Sequence, residues 1–88
     1  MDNVFAVIKH DERMYPQDRI SVDLFTTNDL ALKFAMQLVN EDVLHNGFDA
    51  TIKSRYNADG DIDMDIELIK GEYVVTIRVE KKTIFKEV

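Results

Sequence analysis

The spacing of apolar side chains changes twice along this chain. NVFAVIKH (3–10) is a nearly unbroken apolar run rich in branched and aromatic residues, and RISVDLFT (19–26) alternates, so both predict strands. From Leu30 to His45 the period lengthens to that of a helix. At ~100° per residue, Phe34, Leu38, Ala31, Ala35, Val39, Leu32, Val43 and Met36 fall on one arc of about 200°, opposite Lys33, Gln37, Asn40 and Glu41. Thr27 predicts the N-cap, with Asn28 and Asp29 in the first turn, where polar groups suit the positive end of the dipole; Asn46-Gly47 predicts the stop. Beyond Gly47 the period falls to two, and FDATIKSRYN, DIDMDIELI and EYVVTIRVE predict a three-stranded meander. The expectation is an α+β domain: an antiparallel sheet of about five strands in ββαβββ order, with one helix packed on one face.

Parity then predicts register. Apolar positions are even in the first two meander strands (Phe48, Ala50, Ile52, Tyr56; Ile62, Met64, Ile66, Leu68) and odd in the last (Tyr73, Val75, Ile77, Val79). Residues opposite one another share a face, so pairing must conserve that pattern. A three-residue Ala58-Asp59-Gly60 loop does so, with Gly60 in the left-handed position; it sets Ile52 against Ile66, Arg55 against Asp63 and Lys53 against Asp65. For the next hairpin a two-residue Lys70-Gly71 loop sets Leu68 against Tyr73, Ile66 against Val75, and Asp63 against Arg78. Asp63 is then expected between two arginines.

This register interprets the acidic stretch NADGDIDMDIE (57–67), five acids in eleven positions, as the wet face of a central strand. A calcium loop with Gly60 at its sixth position would carry Arg55 at the first and Ile66 at the twelfth, where carboxylates belong. No metal and no cofactor is expected. Asp59, Asp61, Glu67, Glu72 and Glu80 are left without a cation in this register, and the first four are candidate contacts for a partner.

Composition narrows the classes further. Eighty-eight residues with one proline and three glycines predict a single compact domain, 1–88, without a linker. No cysteine is present, which removes disulfides, thiolate metal sites and thiol nucleophiles and fits a reducing, cytoplasmic setting. The start lacks a basic leader, and no apolar run approaches a bilayer's thickness, so no membrane association is expected. The net charge is −6, and the end of the chain is basic, so the body is more acidic than the whole. Such a body repels phosphate backbones, which leaves Lys81, Lys82 and Lys86 as the one place where nucleic-acid binding could begin.

Candidate chemistry is sparse. His10 and His45 close a strand and the helix, and Ser21 and Ser54 sit inside strands without a nucleophile elbow. KGEYVVTI is comparable to an RNA-recognition strand, but Glu72, Val74 and Ile77 stand where its aromatics belong. The informative excess is apolar. Val4, Phe5, Ala6, Val7 and Ile8 make both faces of the first strand greasy, and a helix covers only one. Phe5 and Val7, or Val4 and Ile8, need a cover from the tail (Ile84, Phe85, Val88), a second copy or another protein. Met14-Tyr15-Pro16, in the polar connection HDERMYPQD, is either an apolar anchor or a loop tucked onto the sheet edge.

These features together predict a non-enzymatic, homodimeric, acidic protein-binding module that occludes a basic, nucleic-acid-handling protein. It resembles in type the small acidic, cysteine-free proteins of phages and mobile elements, many of which bind and block a host enzyme. The alternatives are a nucleic-acid binder led by the basic tail and a small enzyme of unspecified reaction.

Overall fold

A computed structural model describes the chain from Asp2 to Ile84. Strands β1 (Asp2–Asp11) and β2 (Ile20–Phe25) precede helix α1 (Asn28–Asn46), and β3 (Asp49–Tyr56), β4 (Ile62–Lys70) and β5 (Tyr73–Ile84) follow it. All five strands form one antiparallel sheet in the order β2-β1-β5-β4-β3. The expected α+β architecture is present.

The helix lies on the face built by Phe5 and Val7 of β1, Ile66 and Leu68 of β4, and Val75, Ile77 and Val79 of β5. Its line of closest approach is Ala31, Ala35 and Val39, continued by Asp42. Small side chains there let the backbone come close, while Leu32, Phe34, Met36, Leu38 and Val43 pack half-buried along the flanks. Phe34 also reaches the β2 edge, its ring centroid 5.2 Å from that of Phe25.

This arrangement corrects one expectation. Phe5 and Val7 are buried beneath the helix, and need neither a second copy nor the tail to cover them. Val4 and Ile8 point to the opposite, helix-free face. Ile84 pairs with Asp2 as the last residue of β5, so it extends the sheet instead of folding over it. Phe85 and Val88 lie outside the described residues.

The β3–β4 hairpin has the predicted register throughout, from Tyr56 opposite Ile62 to Ala50 opposite Leu68. Asn57 N–H donates to Asp61 O at 2.9 Å to close the three-residue loop, and Gly60 takes φ 83°. The Asn57 side-chain oxygen accepts from the N–H groups of Asp59 and Asp61, which locks the bend.

The β4–β5 register is shifted by two residues from the expected one. Lys70 faces Tyr73, Leu68 faces Val75, Ile66 faces Ile77 and Met64 faces Val79, with Gly71-Glu72 as the loop. The same side chains stay dry. Turn chemistry explains the choice: Gly71, at φ 59°, occupies the first central position, which a II′ turn reserves for glycine. A Lys70-Gly71 loop would have put a lysine there. Arg78 consequently pairs with Asp65 at 2.8 Å, and Asp63 keeps only Arg55, at 3.8 Å.

Helix α1 begins and ends as its sequence dictates. Leu30 N–H donates to Thr27 Oγ1 at 3.2 Å, and Gly47 adopts the left-handed conformation at the other end. Asn28 does more than place polarity in the first turn. Its amide donates to Ile62 O at 3.0 Å and accepts from Ile62 N–H at 3.2 Å, filling the place of a strand neighbour at the start of β4. Replacing Asn28 by Ala strands both backbone groups of a half-buried residue, so the variant should lose about 1–3 kcal/mol of stability. Urea denaturation reads this directly, and an unchanged midpoint would show that the clamp contributes nothing.

Candidate interaction surface

The connection between β1 and β2 is organised by a pair of buried carboxylates. Asp11, the last residue of β1, projects to the helix side of the sheet. Asp42 lies on the buried stripe of α1, one turn past Val39. A buried carboxylate persists only with a charged or hydrogen-bonding partner. Arg13 supplies it for both. Its Nε and Nη2 donate to the two oxygens of Asp11 at 2.9 and 2.7 Å, and Nη2 also donates to Asp42 Oδ1 at 3.1 Å. The guanidinium lies over the Phe48 ring, 4.7 Å from its centroid. Asn46 Nδ2 donates to Asp42 Oδ1 at 2.9 Å, and Lys9 Nζ stands 3.6 Å from Asp42 Oδ2.

Hydrogen bonds from the Arg13 side chain hold the Asp11 carboxyl below the usual carboxylate range, against the upward push of burial. The same contact raises Arg13 further above its ordinary value.

This network fixes the loop. Asp11 N–H donates to Arg19 O at 2.8 Å, Met14 N–H to Asp11 O at 3.3 Å, and Arg19 Nε to Met14 O at 3.2 Å. Pro16 opens a short 3-10 turn, Pro16–Asp18, closed by Asp18 N–H donating to Tyr15 O at 2.7 Å. With its inward polar groups satisfied, the loop presents Met14 and Tyr15 to solvent, 47% and 74% exposed. They are not tucked onto the sheet edge. Glu12 and Asp18 flank them, exposed and without an ion pair among the described residues. Glu72, from the β4–β5 turn, lines an open depression of about 640 Å³ together with Glu12, His10 and Arg19, so it belongs to the same end of the molecule.

The helix-free face divides in two. At β2 and β1 it is apolar: Ile20, Val22 and Leu24 are 65%, 54% and 63% exposed beside Val4, Ala6 and Ile8. Across β5, β4 and β3 it is charged, and Asp63, Asp65 and Glu80 find cations there. Arg78 contacts Asp65 and, at 3.2 Å, Glu80; Lys82 contacts Glu80 at 2.8 Å, which holds the Glu80 carboxyl below its usual range.

Pairing also changes the reading of the acidic turn. Lys81 bridges Asp59 and, at 3.2 Å, Asp61. Asp59, Asp61 and Glu80, expected to lack cations, therefore have them, because β5 runs on past the tip of the β3–β4 hairpin. Lys81 and Lys82 are correspondingly engaged inside the chain, and Lys86 lies outside the described residues. Glu67 and Glu72 have no ion pair among the described residues.

Sequence reasoning singled out Met14, Tyr15 and Pro16 but missed the Arg13 network behind them. One signal was available: Asp42 continues the 31-35-39 spacing of the helix stripe, and an acid at that depth requires a cation. No protein-family model matches the chain, and no curated protein resembles it. No helix among the described residues is long and apolar enough to cross a membrane.

Replacing Arg13 by Ala leaves two buried carboxylates poorly compensated. Because the Arg13 side chain is itself 28% exposed, the loss should be about 2–3 kcal/mol, below the ~3–5 kcal/mol of a fully buried pair. Arg13→Lys, lacking the fork, should restore only part of it. The pH dependence follows from the depressed Asp11 value. Its stabilisation is complete above the unfolded-state value, near 3.8, and disappears as the pH falls through the lower folded-state value. Urea midpoints across this acid range should fall less steeply for Asp11→Asn than for the wild type, and equal slopes would exclude Asp11 as the titrating group.

Proposed function

We infer that this protein is a non-catalytic protein-binding module that acts by occupying a partner's surface, with the β1–β2 connection as its contact. The observation that carries this reading is the exposed Met14–Tyr15 pair on a loop whose Arg13 bridges the buried carboxylates of Asp11 and Asp42. Surface loops ordinarily keep such side chains mobile or covered. Here the Arg13 contacts and the Arg19 Nε bond to Met14 O constrain the loop backbone, which lowers the ordering cost of association. Tyrosine is a stiff amphipathic anchor of the kind that dominates interface energetics.

The chemistry of the surroundings supports a choice of partner. Glu12 and Asp18 flank the anchor in sequence, Glu72 shares a depression with Glu12, Arg19 and Lys70, and the chain as a whole carries a net charge of −6. A basic partner is therefore favoured, with salt-sensitive association. The occlusion of a nucleic-acid-handling protein, in the manner of small acidic inhibitors from phages and mobile elements, is the specific form of this reading.

The double substitution Met14→Ala, Tyr15→Ala tests it. Both side chains are largely exposed, so thermal stability should be unchanged. Immobilised wild-type protein should retain one basic protein from a cell lysate, more weakly as salt rises. The variant should lose at least ~tenfold in affinity per anchor. Equal retention by wild type and variant would refute the loop as the contact.

A further inference from the structure

We propose that the protein pairs with a second copy of itself through β2, antiparallel about a two-fold axis at Val22, joining the two sheets edge to edge. The phase of the backbone decides which residues of β2 can pair outward. Asp11 N–H donates to Arg19 O, so Arg19 and the odd-numbered residues of β2 turn their backbone groups toward β1. Ile20, Val22 and Leu24 consequently turn theirs outward, away from the sheet. These are the same residues whose side chains stand exposed on the helix-free face. Unmet backbone groups and uncovered apolar side chains thus coincide on one short strand.

The two edges of the sheet differ in how they resist pairing. β3 carries Lys53 and Arg55 near its middle, and self-pairing there sets Lys53 against Lys53 or against Arg55, with like charges opposed. β2 has no lysine, no proline and an unbroken register against β1. With Val22 on the axis, Ile20 of each copy faces Leu24 of the other, and roughly six backbone hydrogen bonds form. On the helix side, Ser21 faces Asp23 of the second copy, and Arg19 reaches that aspartate from the diagonal position. Asp23 has no ion pair among the described residues, and Arg19 uses only Nε, on Met14 O. Serine, arginine and aspartate in this order complement themselves under a two-fold rotation, which selects a copy of this chain over an unrelated strand.

The axis stands perpendicular to the sheet, so both helices lie on one side and the two Met14–Tyr15 loops point to opposite ends. Pairing leaves both anchors free.

Sedimentation of the full chain, combined with residue-resolved amide exchange, tests the proposal. At concentrations on the order of 100 µM the expected species is a dimer, with the amides of Ile20, Val22 and Leu24 protected and reverting to fast exchange on dilution. Val22→Lys places two cations on the axis and should weaken association by ~100-fold or more, while at dilutions where both proteins are monomers it should melt like the wild type, since the side chain is half exposed. A monomer throughout, a dimer in which those three amides exchange freely, as in face-to-face stacking, or undiminished dimerisation of the lysine variant would each overturn it. None of these outcomes bears on capture by Met14 and Tyr15, which lie outside β2.

Discussion

A helix with its side chains is ~10–12 Å across, and strands lie ~4.8 Å apart, so one helix shields the width of about three strands. This sheet has five. The mismatch decides which residues are dry and which are not. β1, β5 and β4 sit beneath α1 and hold the fully buried side chains. The outer strands meet it only at their margins, as where Phe34 reaches Phe25 of β2. Ile52 and Tyr56 of β3 face the helix side yet remain 46% and 75% exposed, with the correct parity and no cover. β2 has the same position on the other flank. The chain treats these two edges differently: β3 carries cations on its open side, and β2 carries branched aliphatics.

The closeness of the helix has a second effect. Ala31 and Ala35 bring its backbone down onto the sheet, and the same stripe delivers Asp42 to a depth where a lone carboxylate is untenable. Arg13 answers that need from a loop, and in doing so fixes the loop's course. The exposed Met14 and Tyr15 are thus a consequence of helix packing transmitted through one guanidinium. Local sequence, core packing and surface presentation form a single chain of cause here, with Asp42 as the link.

The legibility of this structure in its sequence follows the range of each determinant. The β3–β4 register was readable because Gly60, the apolar parity and two charge pairs lie within twenty residues and agree. Parity cannot distinguish registers differing by two, and the β4–β5 pairing differs from the expected one by that amount. The finer signal was the requirement for glycine at the first position of a II′ turn, which Gly71 satisfies. In β1 both faces are apolar, and alternation alone does not say which the helix takes. Nonlocal pairings were beyond reach: Lys81 with Asp59 and Asp61, Asn28 with Ile62, and Arg13 with Asp42 each join segments that only the completed sheet brings together. The anchor residues were visible as an apolar triplet in a polar connection, but their support was not.

The strand order has a consequence for how the molecule comes into being. β1 is synthesised first and β5 last, yet they are direct neighbours at the middle of the sheet. Without β5 no strand joins the β2-β1 pair to the β4-β3 pair, and each offers the helix only part of its floor. A continuous sheet therefore waits on β5. Cutting the chain within β5 does not trim the sheet's periphery; it removes the central plank on which both halves rest.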